Sequence, residues 1–427
     1  MSFPQHIVVL NVFFAPNSYG GATIIAEQVA RELVHRHGRR ITAISAMNRP
    51  ELAPYAVMKV EKDGIRNYLI NMPKRRSYAE VYDNPKVAGI VSDLLDMLQP
   101  DLVHAHCLQD IGAGVLSRIK QRGVPVVLSV HDFWWICERQ FMIRPDQRYC
   151  GQDPVKIEDC RGCVADLPRA KTRQSALLAE AAQVDVITFP SQFAHDLSVR
   201  SGMTAARMVV WENGVSLPLP GFFEAQAGRR AQDKRLVFGY LGGPSQIKGW
   251  PLLKPAFQGL NRDDFAGYLV EGSLDGTWWN GLNLSRLKGD WRIHPRFHQD
   301  QMDAFYARID VLLFLSQWKE TFGLAIREAL ARGIRVIQTD SGGTAEWDGA
   351  NRSDMLQIGD GPDKLKPLLI RELDRPHRGT APRSVASYAD QAQVFLDLVA
   401  PLECGGKPAR PVPKPRGSKT GSAKLGR

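Results

Sequence analysis

The sequence predicts an α/β protein made of two doubly wound halves that face one another across a cleft. Three observations predict it. From Ile7 onward, short apolar runs alternate with amphipathic helical runs, the order of an open, mostly parallel sheet. The alternation breaks at the turn-rich segment NGVSLPLPG, residues 213–221, and then restarts. A glycine pair follows the first strand of each half, Gly20-Gly21 in one and Gly242-Gly243 in the other. A chain of 427 residues is long enough for two sizeable cores. The expected division is 1–215 and 216–384 for the two halves, 385–404 for a final helix and 405–427 for a disordered basic tail.

In the first half, IVVLNVFF (7–14) reads as a strand and 16–21 as the loop after it. Residues 22–38 form an amphipathic helix closed by Gly38, and RITAISA (40–46) is the next strand. Residues 51–85 have no clear period. The helix 87–99 stops before Pro100, because proline cannot continue a helix. DLVHAH (101–106), the helix 112–123 and VPVVLSVHD (124–132) follow, and strands at 185–191 and 207–215 continue the alternation. A cysteine-rich insertion lies at about 137–163.

The second half opens with RLVFGYLGG (235–243), then a helix after Pro251, a strand at 266–272, a short strand near Trp291 and a helix at 300–308. Its most informative stretch is 311–343. VLLFL is a short apolar run typical of a strand buried on both faces, and QWKET breaks it. Gly323 opens a helix whose apolar Leu324, Ala325, Ala329 and Leu330 recur at helical spacing, and Gly333 closes it. RVIQTD is the next strand and Ser341-Gly342-Gly343 the turn after it. Glu320 in the loop and Glu328 in the helix have seven residues between them. The last helix covers 387–402.

In open parallel sheets, ligands sit outside the carboxyl ends of the strands, where Glu320 and the Gly323 helix start both fall. Free amides and the positive dipole end there favour an anion such as phosphate, and carboxylates accept from sugar hydroxyls. An ordinary βαβ unit with two surface glutamates is the bland alternative on spacing alone. Gly20-Gly21 lets the backbone approach a ligand closely, although the spacing is not that of a dinucleotide fingerprint. Gly242, Gly243 and Lys248 near a helix start suit a diphosphate, without the order of a Walker loop. His131 ends its strand and should reach the cleft, as a hydrogen-bonding group or simply as a strand cap. His104 and His106 share one face of the preceding strand, with no third metal ligand at readable spacing. No two aspartates are separated by one residue, so a D-x-D metal site for a nucleotide sugar is absent. Cys137, Cys150, Cys160 and Cys163 leave two readings open, a structural zinc site and free thiols, with disulfides disfavoured in a reducing compartment.

Composition excludes whole-chain disorder: 44% of residues are hydrophobic and 23% charged. No run approaches the roughly 18 apolar residues of a spanning helix. The N-terminus reads as a first strand rather than a signal peptide, and a cytoplasmic protein is expected. Of the net charge of +10, seven charges fall in 405–427, which leaves +3 on the body. No aromatic and basic residues interleave there as a nucleic-acid face requires, so no nucleic-acid partner is expected.

The order and spacing of these pieces resemble the retaining glycosyltransferases of family 4, which have the GT-B fold. KETFGLAIREALARG followed by SGGTAE carries most of the resemblance. Gly20-Gly21, PDLVHAHCLQDIGAG, VPVVLSVHDFWWIC, ENGV and the IKG lysine support it, and HDFWWIC with the cysteines is similar to an exopolysaccharide and lipopolysaccharide subgroup. The resemblance implies a nucleotide-diphosphate sugar donor, a glycan or lipid-linked acceptor and no metal in catalysis. It implies that Glu320 binds donor-sugar hydroxyls, that amides around Phe322, Gly323 and Leu324 face sugar and diphosphate, and that Glu328 holds the ribose. Lys248 would neutralise the diphosphate, His131 would contact the transferred sugar, and Gly20-Gly21 would border the reaction centre. One departure stands out: the family's arginine five residues before the lysine is Gly243 here. Amides of Gly242 and Gly243, or another base such as Arg327, are expected to replace it. The fold is shared by nucleotide-sugar epimerases and by non-catalytic binding relatives, which are the alternatives. Acceptor contacts are expected on 47–76 and 134–163, where Lys74-Arg75-Arg76 suits peripheral contact with anionic lipid.

Overall fold

The computed structural model describes residues 3–18, 20–376 and 379–402. Cys404 and the basic segment 405–427 lie outside the described residues. The strands are β1 His6–Leu10, β2 Arg40–Met47, β3 Val57–Lys62, β4 Ile65–Asn71, β5 Leu102–Ala105, β6 Val126–Ser129, β7 Val186–Phe189, β8 Arg207–Val210, β9 Leu236–Tyr240, β10 Phe265–Val270, β11 Asp290–His294, β12 Val311–Phe314 and β13 Arg335–Gln338. They form two sheets, ordered β3-β4-β2-β1-β5-β6-β7-β8 and β11-β10-β9-β12-β13. Every neighbouring pair is parallel except β3 with β4.

Both sheets are covered on both faces, as parallel sheets require. Val8, Val103 and Leu128 point to one face of the first sheet, and Ile7, Leu102 and Val127 to the other, so alternate residues of one strand feed separate cores. Phe238, Leu269 and Leu313 do the same for one face of the second sheet, and Val237, Val270 and Leu312 for the other.

One part of the chain departs from the sequence reading, and the final helix, which that reading assigned to neither half, takes a place in the first. Residues 51–85 contain the hairpin β3-β4 at the sheet edge, joined by the two-residue turn Asp63-Gly64 with φ of +53° and +75°. That is the hairpin turn for which Asp-Gly is a preferred sequence, and its polar edge strand hides the period. The final helix, Tyr388–Val399, returns to the first half: Ala392, Phe395 and Leu396 join the core under β1 and β5. Trp211 Nε1 donates to the Gln391 carbonyl at 3.1 Å and anchors that return.

The strand order reverses beside β1 in one sheet and beside β9 in the other, so the loops after β1, β5, β9 and β12 flank the two switch points.

Candidate functional site

The loops after β1 and β6 meet the loop after β12 around one cavity of about 590 Å³. Gly20, Gly21, His131, Glu320, Phe322, Gly323 and Leu324 all line it. Residues more than 300 positions apart in sequence are thus brought to one place. The two halves touch there: a Cβ on Gly21 would lie 3.2 Å from Leu324 Cδ1, and Thr321 Oγ1 donates to the His131 carbonyl at 2.6 Å.

Glu320 is held from several sides. Its amide donates to the Ser341 carbonyl at 2.9 Å, and its carbonyl accepts from the Gly343 amide at 3.0 Å. The approach of the two loops leaves no room for a side chain: a Cβ at Gly343 would lie 2.1 Å from the Thr321 carbonyl oxygen. The Glu320 carboxylate accepts from Lys248 Nζ at 2.8 Å and from the Ser316 hydroxyl. The helix Leu324–Ala331 starts immediately beyond, with Gly323 as its left-handed N-cap at φ +115°. No side chain caps that end, so its first amides remain available to an anion.

Lys248 stands on the loop after β9. The Tyr240 hydroxyl shapes this loop by bonding the carbonyls of Gly243 and Lys248, each at 2.9 Å. Gly242 and Gly243 lie on the same loop and do not line the cavity with Glu320. Gly243 has φ +67°, and a Cβ there would meet the Trp278 indole at 2.6 Å. An arginine at 243 therefore has no space.

Arg327 does not take its place. The guanidinium is 2% exposed and donates to the carbonyls of Phe322, Gly343, Thr344 and Glu346 at 3.3, 3.1, 3.1 and 2.6 Å. It also lies over the Phe322 ring, 4.1 Å from its centroid. It clamps the two loops that carry the site, and burial lowers its pKa to about 10. The expectation that Arg327 neutralises a diphosphate is corrected on this geometry.

Glu328 is buried below the helix start, and Oε2 accepts from the Tyr306 hydroxyl at 2.8 Å. Burial raises its pKa, opposed by that bond and by Arg332. It is not among the residues around the cavity that Glu320 lines.

His131 is neutral for a simple reason: burial pushes its pKa down to about 4. Its Nε2 is 2.9 Å from His106 Nδ1, and His104 lies beside His106 with ring centroids 4.0 Å apart. His104 and His106 therefore do share a face, and they serve packing and hydrogen bonding. Asp132, next to His131, has no role in the sequence reading. Its carboxylate accepts from Gln109, Gln140 and the Trp134 amide at 3.1, 2.7 and 2.8 Å, holding the cavity wall. The His-Asp pair at the end of an apolar strand was the available signal. Tyr306 carries no such signal, since its partner Glu328 lies 22 positions away, and Ser316, although only four positions from Glu320, belongs to no motif that would mark it.

Cys137, Cys150, Cys160 and Cys163 line a second cavity, of about 620 Å³, and none of them is in a disulfide. Among the described residues no three His, Cys, Asp or Glu are arranged to hold a metal ion. Burial pushes the Cys137 thiol up to about 11 and raises Cys150 and Cys160 as well. The fold gathers the four thiols without closing them into a cage. Of the basic trio, Arg76 is paired with Asp110 at 2.7 Å. Among the described residues no helix is long and apolar enough to cross a membrane.

Two family models match the chain. Residues 19–219 match that described as Glycosyltransferase Family 4, and residues 225–353 match Glycosyl transferases group 1. D-inositol 3-phosphate glycosyltransferase 1 of Catenulispora acidiphila is 25% identical over 412 residues, covering 90% of this chain and 91% of that protein. An uncharacterized 42.6 kDa protein in the cps region of Klebsiella pneumoniae is 21% identical over 363 residues, covering 80% of this chain and 87% of that protein. Among solved structures, sucrose-phosphate synthase from Thermosynechococcus elongatus superposes with a TM-score of 0.62 at 16% identity, over 92% of this chain and 94% of that one. HepE of Anabaena in complex with UDP and glucose superposes with a TM-score of 0.57 at 17% identity, over the same 92% and 94%.

Proposed function

The chain belongs to the family 4 glycosyltransferases and has the GT-B fold, and from that premise we propose that it moves a sugar, with retention, from a nucleotide-diphosphate sugar to a glycan or lipid-linked acceptor. One observation carries the reading most directly. Glu320, paired with Lys248 from the loop after β9, stands beside an uncapped helix N-terminus and lines a cleft that His131 and Gly20-Gly21 also line, whereas Lys248 is not among the lining residues. That arrangement combines an anion site with hydroxyl acceptors. The UDP-glucose complex of HepE supports a nucleotide-sugar donor, and the relative from the cps region supports a place in cell-surface polysaccharide synthesis.

In this reading the C1–O bond to the diphosphate lengthens and positive charge grows on the sugar ring. The acceptor hydroxyl attacks from the same face and passes its proton to the leaving phosphate oxygen. Lys248 and the first amides of the helix Leu324–Ala331 stabilise the departing charge, so catalysis needs no metal. Glu320 orients the sugar hydroxyls, His131 contacts the transferred sugar from across the cleft, and Glu328 serves the ribose. Gly242 and Gly243 border the diphosphate through their backbone. No side chain acts as covalent nucleophile, and positioning does much of the work. Lys74 and Arg75 supply peripheral contact with anionic lipid at the cytoplasmic face.

The test is turnover. Glu320→Ala and Lys248→Ala are each expected to lower activity by about 100-fold or more, the cost of an electrostatic group at the reacting centre. Their Tm should stay near that of the parent, because partly exposed ion pairs contribute about 1 kcal/mol or less. Wild-type turnover by either variant removes that residue from the assignment. Consumption of donor with no acceptor present would identify an epimerase instead, and donor binding without turnover a non-catalytic relative.

A further inference from the structure

The turn SGGTAE, residues 341–346, ends on a glutamate that has no part in the site described above. Glu346 belongs to the second half, yet its carboxylate rests on the first. Oε2 accepts from the Gln192 amide at 2.8 Å and Oε1 from the Phe193 amide at 2.7 Å. These are the first two amides of the helix Gln192–Arg200, whose N-cap Ser191 accepts from the third, that of Ala194, at 3.1 Å. Two of the amides that a helix start leaves open are therefore closed by a charged group from the opposite half. Bonds from amides to a carboxylate are charge-assisted, and the positive end of the helix dipole adds to them.

The turn is shaped for this contact. A Cβ on Gly342 would lie 2.6 Å from the Phe193 ring, and one on Gly343 would lie 2.5 Å from Ser191 Oγ. Only glycine at both positions lets the turn seat against the helix. From the other side Arg327 donates to the Glu346 carbonyl at 2.6 Å and ties it to the helix Leu324–Ala331. The helix Gln192–Arg200 follows β7, which pairs with β6, the strand that leads to His131. A continuous path thus runs from the helix that starts beside Glu320, through Arg327 and Glu346, to the half that carries His131.

The cleft is made of groups from both halves, so their chemistry depends on the register between the two. A misplacement of about 1 Å can cost about 100-fold in rate. We propose that Glu346 is a positioning residue that latches the second half to the first through the start of the helix Gln192–Arg200 and so sets the register of the cleft. The effect on turnover rests on the donor-site reading above; the latch does not. The bonds that brace Glu320 to Ser341 and Gly343 lie within the second half and do not depend on the latch.

Small-angle X-ray scattering of the ligand-free full chain reads the latch directly. Glu346→Ala is expected to enlarge the radius of gyration as the halves part, and a radius equal to that of the parent overturns the proposal. Turnover is read as nucleotide released from UDP-, GDP- and dTDP-sugars. There Glu346→Ala should lower kcat about tenfold or more and leave the KM for the nucleotide sugar within about twofold, since the groups of the second half that hold it are untouched. Glu346→Gln keeps one oxygen for one amide and should lose less. Gln192→Pro removes an amide N–H on the first half alone. Proline suits the first position of a helix, and Ser191 before it is already extended, with ψ of 161°. That variant should lower kcat in the parent and add nothing to the loss in Glu346→Ala. Additive losses, an unchanged kcat in Glu346→Ala, or a change confined to KM overturn the positioning role. Should Glu346→Ala not fold, Glu346→Gln and Gln192→Pro still decide by both measurements. A parent chain that turns over none of these sugars fails the donor-site reading, and scattering still decides the latch. A chain that keeps the parent rate in Glu346→Ala fails this proposal alone.

Discussion

Gly243 shows how a single position can be closed to the residue expected there. Its positive φ and the Trp278 indole 2.6 Å from any Cβ exclude a side chain twice over. Gly243→Arg is therefore expected to destabilise the chain by about 2 kcal/mol or more, from left-handed backbone strain and overpacking together. It should not tighten donor binding. Thermal unfolding and titration with a nucleotide sugar check both halves, and a stable variant with improved affinity would show that the loop accepts the arginine. Arg327 makes the complementary point. It is charged and close to the site, yet its two terminal nitrogens donate to four carbonyls of the loops it joins. Position in sequence identified a cation near the site, while the hydrogen bonds identified its task.

At the scale of an element, the helix Leu324–Ala331 and the strand before it were legible because both obey local rules. The run VLLF is apolar on both faces, and glycine stands at each end of the helix. The β3-β4 hairpin was missed although Asp63-Gly64 announced it, because edge strands carry polar residues on the solvent side and blur their period. The cysteine loop is a third case. Spacing suggested four thiols in one site, and the loop does place them around one cavity without a ligating set of three. On the structural-zinc reading of these cysteines, one of the two that the sequence leaves open, purified chain carries about one equivalent of zinc. Cys160→Ser with Cys163→Ser then releases the metal and lowers Tm by several degrees, as loss of a structural metal should. Metal analysis that finds none, with an unchanged Tm, assigns the thiols to packing.

At the scale of the whole molecule, the His104–His106–His131 row ties the first sheet to the last helix, since the Phe395 ring lies 4.4 Å from that of His104. Burial lowers the pKa of His104 to about 3 and of His131 to about 4, below the unfolded value of 6.5. The sign follows. Above pH 6.5 neither state is protonated at these rings and their packing is fully stabilising. As pH falls from 6.5 towards 4, the unfolded chain takes up protons that the folded chain refuses, and stability is lost. Each ring contributes a slope of up to about 1.4 kcal/mol per pH unit in that window. Tm measured from pH 7.5 down to about 4.5 should fall, and His106→Asn should flatten the slope by one proton. An equal slope in that variant would place the acid sensitivity elsewhere.

Periodicity, the turn-rich break and the glycine pairs were enough for the fold class, for the restart of the pattern, and for placing Glu320, Lys248 and His131 beyond strand ends. These features depend on neighbours a few residues away, so a linear pattern can express them. Contacts across the fold were needed for the rest. Lys248 reaches Glu320 over 72 positions, His106 meets His131 over 25, and Glu346 accepts from the Gln192 amide over 154. Arg327 turned from a diphosphate ligand into a clamp, and Gly243 from a vacancy into a filled position, because carbonyls and an indole arrive from remote loops. Such pairings are set by how the sheets and their loops pack in three dimensions, and no local propensity encodes them.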